Sequence, residues 1–292
     1  MSGLTGFDDI VRQGEPLAPY TWFKIGGPAA YFAEPRTIDE LGALVRRCRE
    51  EELSVWLIGG GSNLLVRDEG VPGVVIRLAA EAFSEVKVDG ETITSGGGSK
   101  LGHLISIAVR EGLAGLESLV GIPGTIGGAL HGNSGGRGGD IGQWASQATV
   151  MTRDGEIHVR QRDDLVFSYR DSSLDELVIL DAQFQLEPTD SVELTKRMQK
   201  QWILKKASQP LGHESAGCIF KNPRGMSAGM LIDQAGLKGT TIGGATVSER
   251  HANFILTAPG ASSQDVLKLI DLIKGRISDR LGVELETEIE VW

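Results

Sequence analysis

At 292 residues, with 40% hydrophobic and 23% charged side chains, the chain has the composition of a globular protein and length for one large domain or two to three smaller ones. Its net charge of −10, from 39 acidic against 29 basic residues, argues against a nucleic-acid backbone as main partner but leaves room for a small anionic ligand in a local basic pocket. No apolar run approaches the roughly 20 residues of a membrane-spanning helix, the first five residues carry no basic-then-apolar leader pattern, and two cysteines suit a reducing cytoplasm better than a disulfide framework.

The first predicted element is a helix from Thr37 to Glu52. Thr37 followed by Glu40 makes a capping box, and Leu41, Leu44, Val45 and Cys48 recur at helical spacing, so Cys48 reads as helix core. Short strands follow over 55–58, 64–66 and 74–78, with turn material over 68–73. A hairpin pairs 86–88 with 92–94 around Asp89-Gly90, and a helix covers 101–111. The stretch 112–142 is the most glycine-rich of the chain. A second hairpin joins 148–151 to 157–159 through Asp154-Gly155, and a strand over 177–186 closes on Pro188.

A long helix over 192–206, carrying Leu194, Met198 and Trp202, ends before Pro210. Beyond it come a loop and strand at 211–222, a helix at 228–235, a strand at 252–257, a helix at 263–281 and a last strand at 283–291. Mixed short strands and helices without a regular βαβ period predict an α+β fold, not a doubly wound sheet. The main boundary is expected in the 187–210 region, dividing the chain into 1–187, itself split near 78, and 188–292.

Glycine stands at 40 residues, about twice its average share, and it is clustered. Gly59-Gly-Gly-Ser-Asn63 follows a strand, where bare backbone can converge on an anion and Ser62 and Asn63 add side-chain donors; an ordinary strand turn explains the cluster equally well. It is neither a dinucleotide fingerprint nor a Walker motif. The second cluster, Gly121-Ile-Pro-Gly-Thr-Ile-Gly-Gly128, continues through His131-Gly-Asn-Ser-Gly-Gly136 and has more glycines than one turn needs. Two such loops suit a long phosphate-containing ligand, a pyrophosphate-bearing cofactor among them. The five histidines are dispersed, and no metal-ligand spacing is present.

Phe23-Lys-Ile-Gly-Gly27, Gly59-Gly-Gly-Ser-Asn-Leu-Leu65 and Gly121–Gly128 with Gly132-Asn133 resemble, in order and spacing, the FAD-binding region of the UDP-N-acetylenolpyruvoylglucosamine reductase family, which belongs to the vanillyl-alcohol-oxidase (PCMH-type) flavoproteins. The likeness continues in Tyr169-Arg-Asp-Ser172, Ala216-Gly-Cys-Ile-Phe-Lys-Asn-Pro223, Leu231-Ile-Asp-Gln-Ala-Gly-Leu237, residues 247–254 and Leu285-Glu-Thr-Glu288, and so covers about residues 20 to 290. The resemblance implies two N-terminal subdomains holding FAD noncovalently, and a C-terminal substrate domain whose last strand returns to the flavin. It resembles the shorter type, since the run from Leu186 into the 192–206 helix leaves little room for an extra tyrosine-bearing loop. The implied reaction is NADPH-dependent reduction of UDP-N-acetylglucosamine enolpyruvate to UDP-N-acetylmuramate for peptidoglycan precursors.

Residue by residue, the resemblance gives cofactor contacts to Gly59, Gly60, Gly61, Ser62, Asn63 and Leu64, and to Gly121, Ile122, Pro123, Gly124, Thr125, Gly127, Gly128 and Asn133. Substrate-contact candidates are Tyr169 in its motif, Lys221 for its point charge and Asn222 for its donor and acceptor; His251 and Asn253 rank below them, since a lone histidine beside an apolar strand is more often structural. Arg170 matches the catalytic arginine, whose guanidinium can clamp a carboxylate; spacing alone reads it as a surface arginine. Glu288 matches the C-terminal glutamate, a candidate neutral acid if burial raises its pKa. Pattern alone places Glu284, Glu286, Glu288 and Glu290 together on a solvated acidic face. Cys218 departs from the family, which mostly carries serine there as proton donor; a thiol is protonated at neutral pH yet more acidic than an alcohol. Without the motif it reads as buried core. Two competing readings remain: another flavoprotein oxidase of the same superfamily, with His103 or His131 as the nearby candidates for covalent attachment, or a catalytically inactive flavin or UDP-sugar binder.

Overall fold

A computed structural model describes residues 4–136 and 138–292. Met1, Ser2 and Gly3, part of the stretch read for a leader, lie outside the described residues. The fold is α+β, and the chain divides into two compact units. The first gathers Met1–Gln13, Tyr31–Gly60 and Pro72–Leu204; the second gathers Gly14–Ala30, Gly61–Val71 and Lys205–Trp292. The division therefore falls near the end of the long helix, and two N-terminal segments that the linear division 1–187 and 188–292 would leave in the first part cluster with the C-terminal residues.

In the first unit, helix α1 (Ile38–Glu50) starts where Thr37 accepts a hydrogen bond from the Glu40 amide. It buries Leu41, Leu44, Val45 and Cys48 on one stripe, against Val74, Ile76, Val178 and Leu180. Cys48 is core, as its spacing predicts, and burial lifts its thiol pKa to about 11. Strand Val55–Ile58 runs parallel to Val71–Arg77, with Ile58 opposite Arg77.

A five-stranded antiparallel sheet follows, in the order Ile157–Gln161, Ala145–Met151, Val178–Gln185, Thr92–Gly96, Val86–Asp89. Both predicted hairpins are in it. Its inner face packs on α2 (Leu101–Arg110) and α3 (Ile126–His131), burying Ile93, Leu104, Ile105, Ile126, Leu130, Val150 and Phe184. Each such aliphatic or aromatic side chain contributes about 1.5–3 kcal/mol on burial. Helix α4 (Ser191–Ser208) buries Leu194 and packs half-buried Met198 against the same core, whereas Trp202, Ile203 and Leu204 are exposed. No helix among the described residues is long and apolar enough to cross a membrane.

The second unit packs α5 (Ala228–Gln234) and α6 (Ser263–Leu281) with a three-stranded sheet, Thr241–Ile242, Ala245–Val247, Ile255–Thr257. The stripe Val266, Leu269, Ile270, Ile273, Ile277 of α6 fills its core, which also takes in Phe23, Ile25 and Leu65. Hydrogen bonds explain why the N-terminal segments join here. The Asp68 carboxylate accepts from the Ser263 amide at 3.0 Å and its hydroxyl at 2.8 Å, a negative charge at the start of α6, and the Thr257 hydroxyl donates to the Phe23 carbonyl at 2.8 Å. The predicted last strand is regular only at Glu290–Val291, which pairs in parallel with Leu64–Leu65.

Candidate functional site

The two glycine clusters meet within the first unit. A methyl group added to Gly60 would stand 2.8 Å from Gly124 Cα, and one on Gly59 would stand 2.6 Å from Thr125 Oγ1, so side chains are excluded where these loops lie backbone to backbone. Thr125 caps α3, its hydroxyl accepting from the Gly128 amide at 3.4 Å. Against this turn, Ser99 accepts from the Ile126 amide at 2.9 Å through its carbonyl, while its buried hydroxyl has no hydrogen-bond partner among the described residues. Bare backbone, an exposed Gly59 and Gly128, and an unsatisfied buried hydroxyl fit a ligand with a polar phosphate-bearing body, as FAD has.

Arg170 sits close to this tract. Phe167–Ser168 and Asp171–Ser172 form a two-residue-a-side hairpin whose turn is Tyr169-Arg170, with Arg170 in the left-handed region at φ 59°. That conformation costs a non-glycine residue about 1–2 kcal/mol, so the surroundings must hold it. They do so by hydrogen bonds: Arg170 Nη1 donates to the Gly135 carbonyl at 3.0 Å, the Ser172 hydroxyl to the His131 carbonyl at 2.8 Å, and Asn133 Nδ2 to the Ser168 carbonyl at 2.7 Å. His131 adds a contact between its Nδ1 and the Leu174 carbonyl at 2.9 Å. The guanidinium also lies 5.5 Å from the centre of the Tyr169 ring, and Tyr169 itself is exposed.

In the second unit, three extended segments run side by side. Cys218 bridges Phe254 and Phe220 bridges Thr287, both antiparallel. The Ile219 amide donates to the Asn253 carbonyl at 2.8 Å, and the Glu288 amide donates to the Ile219 carbonyl at 2.7 Å. Cys218 and Glu288 are thus neighbours through Ile219. The Asn63 side chain donates to the Glu288 carbonyl at 3.1 Å, bringing the end of the first glycine cluster to the same backbone. Lys221 Nζ meets Glu286 Oε1 at 2.6 Å. Of the four glutamates of the last segment, Glu284, Glu286 and Glu290 are exposed and Glu288 is half-buried.

Several predicted contacts have other employment. Asn133 and Asn253 are each 2% exposed, so neither offers surface for a ligand to touch. Asn253 instead accepts from the Phe220 amide at 3.0 Å and donates to the Phe220 carbonyl at 2.8 Å, acting as a strand partner. Gly61, at φ 60°, and Leu64 are also buried; a methyl on Gly61 would strike the Tyr20 carbonyl. Asn222 Oδ1 accepts from the Ala228 amide at 3.0 Å, at the start of α5. His251 accepts from the Asn253 amide at Nδ1 and stacks edge-on to Phe254, 4.8 Å between centres; burial lowers its pKa and favours the neutral ring. Ser99 is not singled out by the sequence, and His131 and Ser172 enter it only as an attachment candidate and a motif member, since their bracing runs through backbone partners that no spacing rule reveals.

Residues 209–292 match the domain model described as UDP-N-acetylenolpyruvoylglucosamine reductase, C-terminal domain, and residues 29–160 match one described as FAD binding domain. The chain is 43% identical over 284 residues to UDP-N-acetylenolpyruvoylglucosamine reductase 2 of Symbiobacterium thermophilum, covering 97% of this chain and 92% of that one. It is 42% identical, also over 284 residues, to the reductase of that name from Anoxybacillus flavithermus, covering 96% and 94%. Among solved structures, the UDP-N-acetylenolpyruvylglucosamine reductase of Thermus caldophilus superposes with a TM-score of 0.82 at 38% identity, covering 97% of this chain and 98% of that one. Cholesterol oxidase from Brevibacterium sterolicum, at 17% identity and TM-score 0.52 over 64% of this chain and 40% of that one, shares the fold.

Proposed function

The chain belongs to the UDP-N-acetylenolpyruvoylglucosamine reductase family, and from that premise we propose that it reduces UDP-N-acetylglucosamine enolpyruvate to UDP-N-acetylmuramate at the expense of NADPH, in peptidoglycan precursor synthesis. The observation that carries this reading is the presence in one chain of an FAD-binding domain match over 29–160 and a reductase C-terminal domain match over 209–292. When bound, FAD would supply two-electron hydride chemistry between NADPH and the enolpyruvyl double bond. Gly59, Gly60, Ser62, Asn63 and residues 121–128 are the groups we assign to holding it, their backbone and short polar side chains suiting a pyrophosphate.

The chain's own residues then handle the charge and the proton. Hydride addition at the terminal vinyl carbon leaves negative charge on the adjoining carbon and its carboxylate. We assign Arg170 to that carboxylate, where a planar, permanently charged guanidinium can place two parallel bonds. We assign Cys218 to protonating the adjoining carbon: the S–H bond breaks, the C–H bond forms, and the thiolate is reprotonated from water. We assign Glu288, half-buried and beside Ile219, to the same enolate as a second proton-bearing group. Lys221 and Tyr169 remain candidates for the sugar nucleotide. Reduced thiols and NADPH use suit the cytoplasm.

The reading is tested by substrate-dependent consumption of NADPH by the purified yellow protein, with free FAD released on denaturation. Flavin that stays with the protein after denaturation, with oxidation of an alcohol in place of reduction of the enolpyruvyl ether, would favour the oxidase reading.

A further inference from the structure

Asn133 lies in the middle of the second glycine tract, yet at 2% exposure it has almost no surface for a ligand to touch. Its carboxamide spans two other pieces of backbone. Nδ2 donates to the Ser168 carbonyl at 2.7 Å, and Oδ1 accepts from the Gly142 amide at 3.1 Å. Ser168 is the last residue before the Tyr169-Arg170 turn. Asn133 itself is in the left-handed region at φ 40°, which asparagine tolerates better than most residues. A left-handed asparagine, fully buried, with both ends of its amide engaged, grips the base of a strained turn that carries an arginine.

We infer that Asn133 is the positioning residue for Arg170, fixing the backbone from which the guanidinium reaches its carboxylate. The inference rests on the reading of Arg170 as the carboxylate clamp. Two parallel hydrogen bonds to a planar group demand alignment, and a displacement of about 1 Å can cost about 100-fold in rate. Of the other anchors of the hairpin, Ser172 to His131 acts at exposed atoms, where the bond is weaker, and Arg170 Nη1 to Gly135 is longer, at 3.0 Å. The brace to Ser168 is the shortest of the three at 2.7 Å, and its amide is fixed at the other end by a buried bond from Gly142, so it dominates the placement.

The test uses the FAD-loaded enzyme and separates its two half-reactions by anaerobic rapid mixing. N133D keeps an acceptor for the Gly142 amide but sets a carboxylate oxygen against the Ser168 carbonyl, so the turn loses its grip. The expected result is unchanged FAD affinity, unchanged reduction by NADPH, and reoxidation by UDP-N-acetylglucosamine enolpyruvate slowed about 100-fold. In the double variant with R170A the loss should equal that of R170A alone, because both changes act on one clamp. Full additivity, or loss of FAD in place of slowed reoxidation, overturns the inference while leaving the clamp intact. An R170A enzyme that reoxidises normally instead overturns the reading of Arg170. Should N133D not fold, N133G decides: glycine accepts the left-handed backbone but makes neither amide bond, so reoxidation should slow about 10-fold or more and add nothing to R170A. Normal reoxidation in N133G, or its additivity with R170A, would overturn the inference.

Discussion

The hairpin that carries Arg170 and the three-segment array that carries Cys218 and Glu288 are two answers to one difficulty, since neither is long enough to be rigid by itself. In the hairpin, two residues a side pair around a left-handed turn, and polar anchors from residues 131–142 hold it. In the array, single bridges join Cys218 to Phe254 and Phe220 to Thr287, and rigidity comes from below, where Ile219 and Phe220 are each 1% exposed in an apolar core. Each uses a buried asparagine. Asn133 bridges two separate backbones, whereas Asn253 spends both ends of its amide on Phe220. The group assigned to orienting charge is held by hydrogen bonds, and the groups assigned to moving protons ride on packed backbone.

Deleting the reactive groups should therefore give the largest effects, and in one half-reaction. C218A is expected to keep NADPH-driven flavin reduction while reoxidation by the enolpyruvyl substrate falls about 10²–10⁴-fold, the worth of a general acid; stopped-flow absorbance checks both. Retained turnover would remove Cys218 from the mechanism. Next in size, N253A should destabilise the protein by about 2–4 kcal/mol, because the Phe220 amide and carbonyl both lose a buried partner, and the urea midpoint should fall accordingly. An unchanged midpoint would mean that packing alone holds the array.

The two cysteines sharpen the comparison further. Cys48 has its folded pKa raised to about 11 by burial, from 9.0. The associated stability is complete below pH 9 and is lost as pH rises toward 11, because the unfolded thiol ionises first; the loss should reach about 2–3 kcal/mol. C48A should flatten the urea midpoint over that range. Smallest in energy is a difference in reactivity: in the apoenzyme, half-buried Cys218 should take up a thiol reagent in the native state and buried Cys48 only on unfolding.

Much of this architecture is legible in the residues themselves. The stripe of Leu41, Leu44, Val45 and Cys48 specifies α1, and Asp89-Gly90 and Asp154-Gly155 mark the two hairpins, because period and turn chemistry are local properties. Strand Val11–Pro16 escapes such reading: Val-Arg-Gln-Gly-Glu-Pro has no alternation and is mostly exposed. Alternation over 283–291 correctly assigns Leu285 and Ile289 to the core, yet only Glu290–Val291 pairs regularly, since a period of two reports burial and not a partner. The motifs that select Asn133 and Asn253 cannot tell a ligand contact from a brace, because the partners of both amides are backbone groups 9 to 35 residues away.

Anaerobic titration of the yellow protein, first with NADPH and then with UDP-N-acetylglucosamine enolpyruvate, tests the central claim most directly. One equivalent of NADPH should bleach the flavin absorbance, and one equivalent of the enolpyruvyl sugar nucleotide should restore it while UDP-N-acetylmuramate appears. Bleaching without recovery would contradict the assignment of this chain as the reductase.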